Sequence, residues 1–169
     1  MALFTGSYDN KLDRKGRVSL PASYRVGLVQ AADQLASNPD DPFGFFYLYP
    51  SPTSNHYLEG CDHPYMEQLG RDIARLPRLS AQRKIMEDFY MAKAQRISLD
   101  QSGRFLLPKS FQTHAQIKGQ CLFVGRGETF EIRQSEPHLA WVQDCSPADP
   151  DQLEAGWAAL DQLRKDENR

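Results

Sequence analysis

The chain has 169 residues, of which 40 % are hydrophobic and 25 % charged, with a formal net charge of −2. No apolar run reaches the roughly 18 residues that a membrane span requires, and Met1–Gly6 has neither the basic stretch nor the apolar core of a signal peptide, so neither a membrane protein nor a secreted precursor is expected. The small total charge hides segregation: residues 8–30 carry five bases and two acids (net +3), 91–126 six and one (net +5), and 134–169 three and eight (net −5), a distribution that hints at a polyanionic partner.

In chain order, the first predicted element is a pair of strands, Ser7–Leu12 and Arg17–Leu20, joined by Asp13, Arg14, Lys15 and Gly16. Aspartate favours the first position of a turn, and glycine supplies the positive φ that closes a hairpin. Pro21 cannot continue a central strand but suits the first turn of a helix, so a short helical turn is expected from Ala22. Phe45–Tyr49 reads as a strand. Pro64–Leu76 then places Met66, Leu69, Ile73 and Leu76 on one helical face, and Pro77 ends it. Ser80 caps a second predicted helix, with Ile85, Met86, Phe89 and Ala92 forming its apolar stripe. Both stripes are read as core-packing faces.

The next segment repeats the first. Lys11–Tyr24 recurs as Ser98–Phe111 at an offset of 87, with 7 of 14 positions identical, among them Asp13/Asp100, Gly16/Gly103, Arg17/Arg104 and Pro21/Pro108. Each copy predicts strand, tight turn, strand and short helix, followed by two more strands. Phe45–Tyr49 is expected to answer Glu128–Ile132. Two copies are too few for a solenoid, so the chain reads as a fused pseudo-dimer: a repeat over 1–60, a helical linker over 61–92, a second repeat over 93–142 and an acidic extension over 143–169. In that extension, Ser146–Asp151 is a turn-rich linker. Leu153, Trp157, Leu160 and Leu163 or Arg164 follow at helical spacing, with Asp149 or Asp151 as cap. An amphipathic helix docking on its own chain or a neighbour, and a frayed acidic tail, both fit.

Motifs for catalysis are missing: there is no GxSxG, GxGxxG, GxxxxGK[ST] or HExxH. Cys61, Cys121 and Cys145 form no CxxC pair, and His56, His63, His114 and His138 have no ligand spacing. A reduced protein without metal, cofactor or enzymatic activity is expected. What repeats is Asp-x-x-x-Arg with glycine before the arginine. The planar arginine fork binds phosphate, or the O6/N7 edge of guanine, through two parallel hydrogen bonds. The aspartate either braces that fork or organises the turn, and an internal ion pair that merely locks each hairpin is the structural alternative. Arg14 and Lys15 add charge at the first tip, whereas Gln101 and Ser102 replace them at the second, where Lys93, Arg96 and Lys109 are candidates to compensate.

These two segments, Leu12–Pro21 and Leu99–Pro108, together with Phe123–Ile132, resemble the paired motifs of the MraZ family over roughly residues 3–142. The resemblance implies an α+β fold of two pseudo-symmetric AbrB-like swapped-hairpin barrel repeats with linking helices. It also implies a homo-oligomeric ring, of eight or more subunits, in the cytoplasm and associated with the nucleoid. Its implied function is sequence-specific binding of short direct repeats in double-stranded promoter DNA of a division and cell-wall gene cluster. The DNA-binding residues it implies are Asp13, Arg14, Lys15, Gly16 and Arg17, with Asp100, Gly103 and Arg104. A swapped-hairpin interaction module of the antitoxin kind, using the C-terminal extension to hold a partner protein, is the other function that the sequence permits.

Overall fold

A computed structural model describes residues 1–32, 41–135 and 149–167. The chain divides into two compact units, Met1–Ser135 and Glu136–Arg169. The first is α+β. Its strands are β1 (Ser7–Lys11), β2 (Arg17–Ser19), β3 (Phe45–Pro50), β4 (Leu58–Cys61), β5 (Gln95–Ser98), β6 (Arg104–Leu106), β7 (Gln120–Gly125) and β8 (Thr129–Gln134). Helices α1 (Ala22–Ala32), α2 (His63–Ala74), α3 (Ala81–Met86) and α4 (Lys109–His114) lie between them. Six strands form an antiparallel sheet in the order β1-β7-β8-β4-β3-β5, and β2 and β6 form a separate two-stranded ribbon.

Both tight turns form where they are expected, but their arms do not zip together. Next to the first turn, an isolated bridge joins Leu12, just past β1, to Val18 of β2. β1 pairs along its length with β7, β5 pairs with β3, and the outgoing strands β2 and β6 pair with each other. Each arm therefore satisfies its backbone donors and acceptors against a strand far away in sequence. The order of the six-stranded sheet is palindromic: exchanging β1 with β5, β7 with β3 and β8 with β4 leaves it unchanged. β3 thus takes the place of β7, whereas Glu128–Ile132, expected to answer it, lies in β8 and takes the place of β4. Both segments are short aromatic and aliphatic runs, so composition does not distinguish them; the pairing partner does.

The core lies between this sheet and the ribbon and is strongly aromatic. Phe130, fully buried, has the rings of Phe4, Tyr24 and Phe46 at 4.9, 5.3 and 5.5 Å, and Phe123 at 6.3 Å. From the ribbon, only Val18 and Phe105 point inward. α1 and α4 follow Pro21 and Pro108 directly and bury Tyr24, Leu28 and Phe111. α1 runs to eleven residues, longer than the turn expected.

Between the copies, α2 buries Met66 and Ile73, with Leu69 packed partly against the core and Leu76 beyond the helix end. Asp62 caps it, accepting from the Tyr65 backbone N–H at 2.8 Å and from the backbone N–H of Ala2. The stripe expected on the next helix does not form. Ile85 is 65 % exposed, and nothing in Ala81–Met91 is buried. At Glu87 the helix widens into one π turn through Met91, closed by Ala92 N–H on the Glu87 carbonyl at 3.0 Å. The extra residue shifts the helical phase, so Tyr90 rather than Phe89 meets the core, with its ring 5.5 Å from that of Tyr49.

In the second unit, α5 (Pro150–Glu167) is the described element. Asp149 caps it, its carboxylate accepting from the Asp151 N–H at 3.1 Å and its carbonyl from the Leu153 N–H at 3.1 Å. Of the predicted turn-rich linker, residues 146–148 lie outside the described residues, whereas Asp149 is the cap and Pro150 and Asp151 belong to the first turn of α5.

Candidate nucleic-acid interface

The two turns are built alike, bond for bond. In the first, Asp13 Oδ1 accepts from the backbone N–H groups of Lys15 (2.8 Å) and Arg17 (2.9 Å), and Oδ2 accepts from Arg17 Nε (2.8 Å). In the second, Asp100 Oδ1 accepts from Ser102 N–H (2.8 Å) and Arg104 N–H (2.9 Å), and Oδ2 accepts from Arg104 Nε (3.0 Å). The Asp13 and Asp100 N–H groups close each loop on the carbonyls of Arg17 and Arg104. Gly16 and Gly103 supply the positive φ, 79° and 70°. The aspartate therefore both organises the turn and braces the arginine.

Those donors set the charge state of the brace. The Arg17 backbone N–H, followed by its guanidinium and the Lys15 N–H, holds the Asp13 carboxyl below the usual carboxylate range against a smaller opposing effect of desolvation. The same groups, on Arg104 and Ser102, do this for Asp100. A carboxyl whose folded pKa is depressed favours the fold at pH above its unfolded value, and that support fades as pH falls through the folded one. Both braces are thus fully charged at neutral pH.

The ion pairs are open to solvent, with Arg17 and Arg104 side chains 34 % and 38 % exposed. A pair of that kind adds little stability, and its main effect is on direction. Each guanidinium has five N–H donors. The brace takes the one on Nε, and among the described residues the two terminal nitrogens of Arg17 and of Arg104 have no hydrogen-bond partner. Two parallel donors thus remain at the end of each side chain, the arrangement that bidentate recognition uses.

Ribbon register then brings the two copies together. Arg17 stands opposite Leu106, and Arg104 opposite Ser19. Because side chains alternate along a strand, Arg17, Ser19, Arg104 and Leu106 share the solvent face, while Val18 and Phe105 fill the core. Diagonal neighbours in an antiparallel pair sit about 7–8 Å apart, which is the relation of Arg17 to Arg104.

Each turn is also held by the other copy. Leu20 N–H donates to Gly103 O at 3.0 Å, and Leu107 N–H to Gly16 O at 2.9 Å. Arg25 of α1 donates to the Ser102 carbonyl at 3.0 Å and lies over Gly103. Gln112 of α4, its counterpart 87 residues on, donates to the Leu107 carbonyl at 2.6 Å and lies near Gly16. Neither contact has a signature in the sequence: Arg25 and Gln112 differ in type, and Arg25 bonds a turn 77 residues away, whereas Gln112 bonds Leu107 of its own copy and only approaches Gly16.

A Cβ at Gly103 would fall 1.9 Å from Arg25 Nη1 and 2.4 Å from its Cδ, whereas at Gly16 the nearest atom would be Gln112 Nε2 at 3.0 Å, with Leu106 Cδ1 at an ordinary 3.5 Å. Both changes carry the strain of a positive φ, of order 1–3 kcal/mol. Gly103→Ala must in addition evict Arg25. We expect Gly103→Ala to unfold at lower urea than Gly16→Ala; coincident unfolding curves would contradict the asymmetry.

The remaining basic residues separate. Arg14 and Lys15 are exposed at the first tip. Arg96, a candidate to compensate the second copy, is instead paired with buried Asp41, its guanidinium 3.9 Å from the Phe45 ring centre. Lys93 lies over Phe89. Lys109 lines an open cleft with Lys118, Gln112 and Ile117. The first tip is therefore the more basic of the two.

Buried thiols offer no competing chemistry. Burial pushes Cys121 up to about 12, and Cys61 further still, so neither thiol is ionised near neutral pH; Cys145 lies outside the described residues. Among the described residues no three His, Cys, Asp or Glu side chains gather as metal ligands, and no helix is long and apolar enough to cross a membrane.

Comparison with known proteins gives a consistent result. Residues 90–149 match a family model described as "MraZ protein, putative antitoxin-like". A relative named transcriptional regulator MraZ from Rickettsia canadensis is 36 % identical over 136 residues, covering 80 % of this chain and 84 % of the relative. The proteins of the same name from Rickettsia akari and Rickettsia typhi are 36 % identical over 146 residues and 33 % over 149, covering 85 % and 86 % of this chain and 91 % and 93 % of their own.

Proposed function

Because the chain belongs to the MraZ family of transcriptional regulators, we propose that it binds double-stranded promoter DNA through the solvent face of the β2–β6 ribbon. In this reading, Arg17 and Arg104 contact base edges, and Asp13 and Asp100 aim them. Arg14 and Lys15 attract phosphate, and Gly16 and Gly103 let the turns approach the backbone. The observation that carries it is the ribbon register, which puts two braced arginines on one exposed face.

A two-stranded ribbon fits the major groove, and each bidentate arginine–guanine contact contributes about 1–3 kcal/mol of discrimination. A separation of about 7–8 Å corresponds to roughly two base-pair steps at about 3.4 Å each, so the two arginines read neighbouring positions of one short element. The repeats over 1–60 and 93–142 then form a swapped-hairpin barrel in which β2 and β6 are the exchanged strands. The helices over 61–92 connect them, and 143–169 is an appendage.

A single ribbon makes few phosphate contacts, while specific complexes have footprints of dimer size or more. A homo-oligomeric ring presents the ribbon many times, and direct repeats about one helical turn, roughly 34 Å, apart would engage several copies at once. The sites, the ring and the promoter of a division and cell-wall gene cluster as target are together one testable unit. An electrophoretic shift with the duplex upstream of the protein's own gene, against a shuffled duplex of equal composition, is expected to favour the first by about 10³-fold or more. Light scattering on the same sample is expected to report a multi-subunit particle. Equal affinity for the two duplexes would overturn the reading.

A further inference from the structure

In α5, Leu153, Trp157, Leu160 and Leu163 are between 46 % and 61 % exposed. Their spacing of four, three and three residues places them along one side of the helix. A helix of 18 residues is only a little longer than the roughly 12–15 residues below which isolated helices are marginal in water, and helices in proteins owe most of their stability to a packed apolar face. Gly156 in its interior weakens it further. This face needs a cover.

We propose that α5 pairs antiparallel with α5 of a second copy of the chain. Leu153, Trp157, Leu160 and Arg164 follow the alternating four–three spacing of a two-helix seam. Setting Trp157 of one helix level with Leu160 of the other gives two central layers of tryptophan on leucine. The same register puts Leu153 level with Arg164 of the second copy. The aliphatic stem of Arg164 covers Leu153, and its guanidinium, which is paired within its own helix with Asp161 at 3.5 Å, reaches the neighbouring acid Glu154. A parallel pair would instead stack Arg164 on Arg164 inside the seam, placing like charges together. Antiparallel packing also sets each helix's negative C-terminal end beside the positive N-terminal end of the other. The four–three spacing thus selects the occupant, a second α5, and the place of Arg164 in the seam selects its direction.

The test uses full-length chains in a Cys145→Ser background, so that the native thiols left, Cys61 and Cys121, are both buried. One chain carries Leu153→Cys and a differently tagged chain carries Arg164→Cys; the two are co-expressed and mildly oxidised. Disulfides require Cα atoms within about 4.4–6.8 Å, whereas equivalent residues in the antiparallel register lie ~16 Å apart along the axis (eleven steps of about 1.5 Å). The expected covalent product is the heterodimer, and it is expected to be lost when Leu160→Glu is placed in both chains. These changes lie in α5, outside the unit that holds the core. A homodimer of the Leu153→Cys chain, which keeps Arg164 in both helices, would mean parallel pairing and overturn the proposal. Absence of any covalent product would also overturn it, and would assign the face to another part of the chain or to another protein.

Discussion

Replacing Arg17 with alanine is expected to weaken binding to the cognate duplex by about 5- to 150-fold, the equivalent of roughly 1–3 kcal/mol for one bidentate base contact. Discrimination at one base position should relax at the same time. Lys15→Ala is expected to behave differently. It should lower affinity for cognate and shuffled duplexes alike and flatten the dependence of log K on log salt by about 1 per lost phosphate contact. Arg17→Lys separates the two effects within one position, because it keeps the charge but loses the fork and the bond from Nε to Asp13. It should retain non-specific binding and lose base preference. Fluorescence anisotropy with both duplexes over a salt series measures all three variants. If wild type and Arg17→Ala bind the cognate duplex equally at every salt concentration, Arg17 makes no base contact and the ion pair with Asp13 only locks the loop.

The pattern of what was legible follows from the range over which each signal acts. Asp13, Gly16 and Pro21, and their counterparts Asp100, Gly103 and Pro108, determine backbone geometry within a few residues, so turns, strand ends and helix starts can be read without a structure. The repeat, at an offset of 87, is equally plain in the sequence. Strand partners are a different matter. β1 carries no local mark of its choice of β7 over β2; that choice is settled by which apolar faces Phe4, Tyr24 and Phe130 can bury together. The same limit explains the mistaken match of Phe45–Tyr49 with Glu128–Ile132. At Phe89 regular 3.6-residue periodicity fails for a different reason, the π turn at Glu87–Met91, whereas Ile85 lies ahead of that turn and its exposure is not explained by it. Asp62 could have been found, since an aspartate just ahead of His63-Pro64 is an ordinary cap signature. At the candidate site the residue types and spacing are visible in the sequence, whereas the shared solvent face of Arg17 and Arg104 depends on the pairing of β2 with β6.

A second large effect is expected at Gly60, where no functional motif points. Gly60 stands opposite Phe130 in the β4–β8 ladder, and the Phe130 ring lies across it: a Cβ at Gly60 would fall 2.2, 2.5 and 2.7 Å from three ring carbons. The ring has nowhere to retreat, because Phe4, Tyr24, Phe46 and Phe123 surround it. Overpacking a core commonly costs about 1–3 kcal/mol and sometimes more, and a strand glycine under an aromatic ring is at the severe end because the opposing atoms are rigid. We expect Gly60→Ala to lower the thermal midpoint by about 6–12 °C, using ~3 kcal/mol and roughly 2–4 °C per kcal/mol for a chain of this size, at matched chain concentration so that assembly does not bias the comparison. Phe130→Leu alone should also destabilise by opening a cavity. Combining the two should cost less than their sum, because each relieves the defect of the other, and a coupling of 0.5–3 kcal/mol is roughly the range for residues in direct contact. Strict additivity would mean that the ring is not held against Gly60, and the position of β4 beside β8 would then need another cause.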